Sequence, residues 1–146
     1  MGGMVNEAPL PYQPPPAPPL PVRPPSGALA WGLGLLGLVF LPFANLLVSG
    51  IVMVAVGLSQ SRAGGLARVN GRRAANWGLT VLVILVPCMA LWITALTIRA
   101  QGFFPWGISV IVWIVLGIVN LVAAIIGMVQ ANGGREVRFP AIPFFR

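Results

Sequence analysis

The side chains able to do chemistry in this chain are few, and most of them are guanidinium and amide groups. Nine arginines face two glutamates, with no lysine, aspartate or histidine. Acid–base work by paired carboxylates needs two of them at one site, whereas Glu7 and Glu136 sit in polar segments near opposite ends of the sequence. Metal binding needs clusters of His, Cys and carboxylate, so no metal and no cofactor is expected. The single cysteine, Cys88, lies in an apolar run with no histidine or cation beside it to favour the thiolate, and reads as a small hydrophobe. These absences exclude the common catalytic constellations and point to a non-enzymatic protein with no catalytic residues.

What polar chemistry there is concentrates between Gln60 and Trp77, QSRAGGLARVNGRRAANW, which carries Arg62, Arg68, Arg72 and Arg73. Asn70, Arg73 and Asn76 recur every third residue, and Arg72 stands four before Asn76, so on a helix they share one face. With Thr80 one turn further they form a polar wedge entering an apolar span. Such a wedge suits a lipid phosphate or the acidic group of a partner, and equally suits arginines that mark a membrane boundary. Asn70, Arg72, Arg73 and Asn76, with Arg135 and Arg138 downstream, are the candidate lipid- or partner-binding residues. The arginines flank apolar runs, so anionic headgroups are their nearest partner and no nucleic acid is expected.

The elements that would position these residues follow from hydropathy. Hydrophobic residues make up 58% of the 146 and charged residues 8%, against about 45–50% and about 25% in soluble domains. The sequence predicts an all-α integral membrane protein with about four membrane helices: 28–41 and 43–58 as a short hairpin, then 74–98 and 107–130. The first apolar stretch is too long for one straight span and too short for two full ones. Pro42 and Asn45 interrupt it, so a hairpin and a single kinked, tilted span are both open, and the hairpin is the expected form. Pro87 predicts a hinge in the third helix. Small residues one turn apart, Ala28/Gly32, Ala30/Gly34 and Ala123/Gly127, are candidate helix-packing faces, with Asn120 as a bridging amide.

Outside the membrane domain, 27–131, lie two tails. Residues 1–26 hold ten of the fifteen prolines and predict a disordered spacer. No basic, apolar leader is recognisable ahead of them. Its PxxP spacings also fit a cytoplasmic Pro-binding partner. Residues 132–146 break the last helix at Asn132-Gly133-Gly134 and mix arginine with aromatics, the composition of an interfacial anchor. The stretch 60–73 and the C-terminal tail must share a side; together they hold seven arginines against Arg99 on the other. The positive-inside rule then places both in the cytoplasm of a bacterial cell membrane protein, and the hairpin places the N-terminus there too.

Three motifs, LPFANLL, VNGRRAANW from Val69 to Trp77, and ANGGREVRFPAIPFF, are similar to those of a family of small bacterial multi-pass membrane proteins of unknown function. That family is distantly related to a channel subunit of the chloroplast inner-envelope Tic translocon. The resemblance spans about residues 28–146, and it implies a helical membrane domain without catalytic residues. Family members often carry acidic residues in the loop, and this chain has none between Glu7 and Glu136; position 78 is Gly where a polar residue is usual. The expected role is an accessory or scaffolding subunit of a membrane complex, meeting a membrane-protein partner or a second copy of itself. The alternative is an oligomeric channel or translocon-like component.

Overall fold

The computed structural model describes residues 24–39, 41 and 43–145. The Pro-rich segment with Glu7 and Arg23, the Pro42 break and Arg146 lie outside the described residues. Those described form helices and no strand: α1 (Ala28–Gly32), continued by a 3-10 turn over Leu33–Leu38, then α2 (Ala44–Ser61), α3 (Gly65–Thr97) and α4 (Gly107–Asn132). α2, α3 and α4 are each long and apolar enough to cross a membrane, and Ala28–Leu38 is a shorter apolar helix. The chain is a multi-pass helical membrane protein.

The described residues of 28–39 and 43–58 form the two arms of the hairpin. Ser49 on α2 donates to the carbonyl of Gly34 on the first arm, 3.0 Å away, so the two arms run side by side. The first arm tightens into a 3-10 turn where Gly32, Gly34 and Gly37 lower helix propensity. At the bend Phe43 takes a positive φ of 59°, a conformation costing a non-glycine residue about 1–3 kcal/mol. Its ring is buried between Trp92 and Trp113, with centroids 5.2 and 5.5 Å away. Those aromatic contacts hold the bend in place.

The side-chain amide of Asn70 donates to Ser26 O and to Arg135 O. The start of the first arm, the α2–α3 turn and the exit from α4 therefore lie at one end of the bundle. Six described arginines gather there, and Arg99 lies at the other end.

α3 departs from its expected limits. It begins at Gly65, not near residue 74, and the expected loop at 60–73 shrinks to Arg62–Gly64 between two helices. Leu, Ala and Arg are good helix formers, so the charge marks the membrane boundary and not the end of the helix. At about 1.5 Å per residue its 33 residues run about 50 Å, and its first turns stand clear of the hydrocarbon. The helix continues through Pro87.

α2 and α3 meet through glycines spaced by seven. Gly50 faces Gly78 and Gly57 faces Gly71: a Cβ on Gly71 would stand 2.5 Å from Gly57 O, and one on Gly78 2.7 Å from Gly50 O. Backbones this close gain dispersion contacts that lipid cannot supply. On the other side the first arm packs against α4. Trp31, fully buried, lies over Gly127, where a Cβ would overlap the indole; Gly34 faces Ala124, and Gly32 faces the sulfur of Met128. Ala123 is also fully buried.

Candidate functional site

Two polar clusters stand out within the apolar bundle. The first lies at membrane depth. Carbonyls of the short 3-10 arm gain side-chain partners, which matters in hydrocarbon, where an unpaired backbone group is costly. Gly34 O accepts from Ser49 Oγ and from Asn120 Nδ2, each at 3.0 Å, and Gly37 O accepts from Asn45 Nδ2 at 2.7 Å. Asn120 Oδ1 in turn accepts the indole N–H of Trp77 at 3.0 Å. Asn45 Oδ1 accepts Leu46 N–H at the start of α2 and the indole N–H of Trp113. Asn120 thus joins the first arm, α2, α3 and α4. Beside this cluster a cavity of about 360 Å³ is lined by Gly34, Gly37, Asn45, Trp113, Gly117 and Asn120, among mainly apolar neighbours.

The second cluster is the polar stripe of α3, and residues 135–145 lie along it in an extended path. Asn70 Oδ1 accepts Val137 N–H at 2.9 Å, while both N–H groups of its amide go to Ser26 O and Arg135 O. Asn76 pairs with the peptide of Phe145 at two points, accepting its N–H at 2.7 Å and donating to its carbonyl at 3.1 Å. Thr80 Oγ1 accepts Ile142 N–H at 3.1 Å and donates to Asn76 O. Arg73 donates to Val137 O and pairs with Glu136 at 3.1 Å. Phe139 meets the Trp77 ring edge-on at 4.9 Å. The tail descends to the level of Thr80 and returns to that of Asn76, so the wedge on α3 serves as a cradle for the chain's own backbone.

The candidate residues divide accordingly. Asn70 and Asn76 are turned to the tail, the amide of Asn76 occupied by it and that of Asn70 shared between it and Ser26 O. Arg73 bridges tail and solvent. The guanidinium groups of Arg68 and Arg72 make no hydrogen bond or ion pair among the described residues. A pocket of about 260 Å³ is bounded by Arg68, Val69, Arg72, Arg73, Asn76 and Phe145. Across the tail, Arg73, Asn76, Arg138 and Phe139 border a space of about 480 Å³. Arg135 and Arg138, both exposed, share a third recess of about 400 Å³ with Gln130 and Glu136. Gly32, Gly34, Ala123 and Gly127 are taken up by packing of the first arm on α4 within the chain.

Sequence reasoning missed Ser49, whose hydroxyl is unremarkable in an apolar run, and the glycines at 50, 57, 71 and 78. Their signal is present as a seven-residue spacing on two consecutive helices, which a search for small residues one turn apart passes over.

Among the described residues no group of three His, Cys, Asp or Glu comes together that could hold a metal ion. The family model described as the magnetosome magnetite crystal formation protein family matches residues 26–145. Comparison with curated proteins and with solved structures returns no match.

Proposed function

The chain belongs to the magnetosome magnetite crystal formation protein family, and from that premise we propose that it is a non-enzymatic subunit of the magnetosome membrane. Its part in crystal formation is to scaffold a membrane complex, and not to hold iron or to turn over a substrate. The observation that carries this reading is where the polar groups go. At membrane depth, Asn45, Ser49, Trp77 and Asn120 bond one another and the backbone. Iron coordination by hard oxygen ligands asks for several carboxylates, and the whole sequence has two. What remains available to partners is the arginine-rich end, the tails and the lipid-facing helices.

The orientation proposed for that end is cytoplasmic, on the charge asymmetry between its arginines and Arg99. A membrane-protein partner or a second copy would meet the bundle through its lipid-facing surface, and a cytoplasmic partner would meet the Pro-rich tail, residues 1–26. The test is removal of the chain from a magnetite-forming host, with crystals measured by electron microscopy and interacting proteins identified after gentle solubilisation. Crystals altered in number or size, restored by the intact chain, together with a stable co-purifying membrane protein, are the expected result. Unaltered crystals overturn the proposal.

The translocon-like component expected from the sequence motifs is the alternative, an oligomeric pore, and the family match itself draws no link to a translocon. A hydrated path needs polar groups free to line it, and the amides of Asn45 and Asn120 are bonded inside the chain. Reconstituted bilayers are therefore expected to stay silent, and a steady conductance would favour the pore.

A further inference from the structure

We propose that Arg68 and Arg72 form a binding site for the phosphate of an anionic membrane lipid, whose acyl chain lies along α3. This inference is independent of any part in crystal formation. Arg68 and Arg72 stand four residues apart on α3, so their guanidinium groups reach toward one region of its surface. They border the pocket of about 260 Å³ closed by Val69, Arg73, Asn76 and Phe145. The third arginine of the pocket, Arg73, is already matched by Glu136, whereas Arg68 and Arg72 are unmatched among the described residues. Two guanidinium forks facing one recess are suited to the oxygens of a phosphate, which accept paired N–H bonds.

The wall of the pocket is fixed. Phe145 is held at both its N–H and its carbonyl by the Asn76 side chain, so the recess does not depend on a loose terminus.

The surface below the pocket distinguishes a lipid from free phosphate. Leu79, Val83 and Val86 follow Arg72 by 7, 11 and 14 residues, which places all four on one face of α3 at 100° per residue. Val83 and Val86 are each about half exposed, and Leu79 partly so. A phosphate at Arg72 thus sits at the head of an apolar track that begins about 10 Å further along the helix and continues toward the middle of the bilayer. A free anion has no use for that track.

The full chain, purified in detergent and mixed with phosphatidylglycerol and phosphatidylcholine, tests the assignment by the phosphatidylglycerol that stays bound, read by mass spectrometry. Arg68→Gln and Arg72→Gln should each weaken retention about fivefold, and together about thirtyfold. Arg62→Gln removes the same charge at the same end but outside the pocket, and should leave retention near the parent value. Equal losses at positions 62, 68 and 72 would reduce the site to a diffuse field and overturn it, as would full retention in the double variant. Displacement of the lipid by inorganic phosphate or glycerophosphate at equal concentration would reject the lipid as the ligand. Phe145→Ala, which keeps every arginine and opens the wall, should also weaken retention; circular dichroism checks that each variant is folded.

Discussion

The indole N–H of Trp77 donates to Oδ1 of Asn120 at 3.0 Å, joining α3 to α4 through a bond buried in the bundle. The same asparagine holds Gly34 O with its Nδ2 and approaches the Ser49 hydroxyl at 3.4 Å. Interhelical hydrogen bonds in membranes contribute about 0.6 kcal/mol on average and up to about 1.7 kcal/mol. Asn120→Leu removes them together and leaves the Trp77 N–H without its partner. A loss of about 1–3 kcal/mol is expected, measured as unfolding in mixed micelles. An unchanged unfolding midpoint would show that the cluster is not stabilising.

The surroundings of Gly71 on α3 and Gly117 on α4 predict opposite signs for one kind of substitution. Gly71→Ala would place a methyl 2.5 Å from Gly57 O and 3.0 Å from Ser61 N, backbone atoms that cannot yield as the end of a flexible side chain does. Separation of the helices should cost about 1–3 kcal/mol, the range of overpacked sites. At Gly117 a Cβ meets only the end of Leu46, 4.0 Å away, and the change to alanine gains helix propensity of about 1 kcal/mol. Thermal unfolding of the two variants should therefore shift in opposite directions. A shift of the same sign in both would refute the close approach.

Residues 135–145 are tied to α3 by amides that Asn70, Asn76 and Thr80 accept. The N–H groups of Val137, Ile142 and Phe145 should exchange with deuterium slowly for so short an extended segment. Asn76→Ala frees both bonds to Phe145, so exchange at Phe145 should speed up about tenfold, the loss expected for about 1.4 kcal/mol of hydrogen bonding. Tryptic cleavage after Arg138 should quicken in the same variant. Unprotected amides in the parent chain would mean that the tail is not seated on the helix.

Shared placement of Ser26, the α2–α3 turn and the tail predicts a labelling pattern. In a Cys88→Ser background, single cysteines at Ser26, Ala63 and Arg138 should react with an impermeant maleimide from one face of oriented vesicles. A cysteine at Gln101 should react from the other face only. Labelling of Ser26→Cys together with Gln101→Cys would require a first segment that crosses once.

The helical membrane class was legible because a bilayer sets the length of apolar run a helix needs, and the runs of α3 and α4 meet it without ambiguity. The break near Pro42 and Asn45 was legible as a hairpin for a related reason, since the apolar stretch is too long for one straight span and too short for two full ones. The spacing of Asn70, Arg73, Asn76 and Thr80 placed them on one helix face. The group that they contact was not legible, because Asn76 and Phe145 are 69 residues apart and an extended, Pro-containing tail has no periodicity to align with a helix. The start of α3 was not legible from hydropathy, because arginine is a good helix former and charge ends the apolar run without ending the helix. The seven-residue glycine spacing was visible, though its meaning depends on two helices running antiparallel.

Asn76 acquires its side-chain partner, and Asn70 and Thr80 complete theirs, only from residues 135–145, which leave the ribosome after every helix has been made. Until then the polar face of α3 enters the membrane with its amides open to water, headgroups or another protein. Completion of the fold is thus a late event in biogenesis, and any factor that attends the newborn chain has a defined interval in which α3 presents its amides.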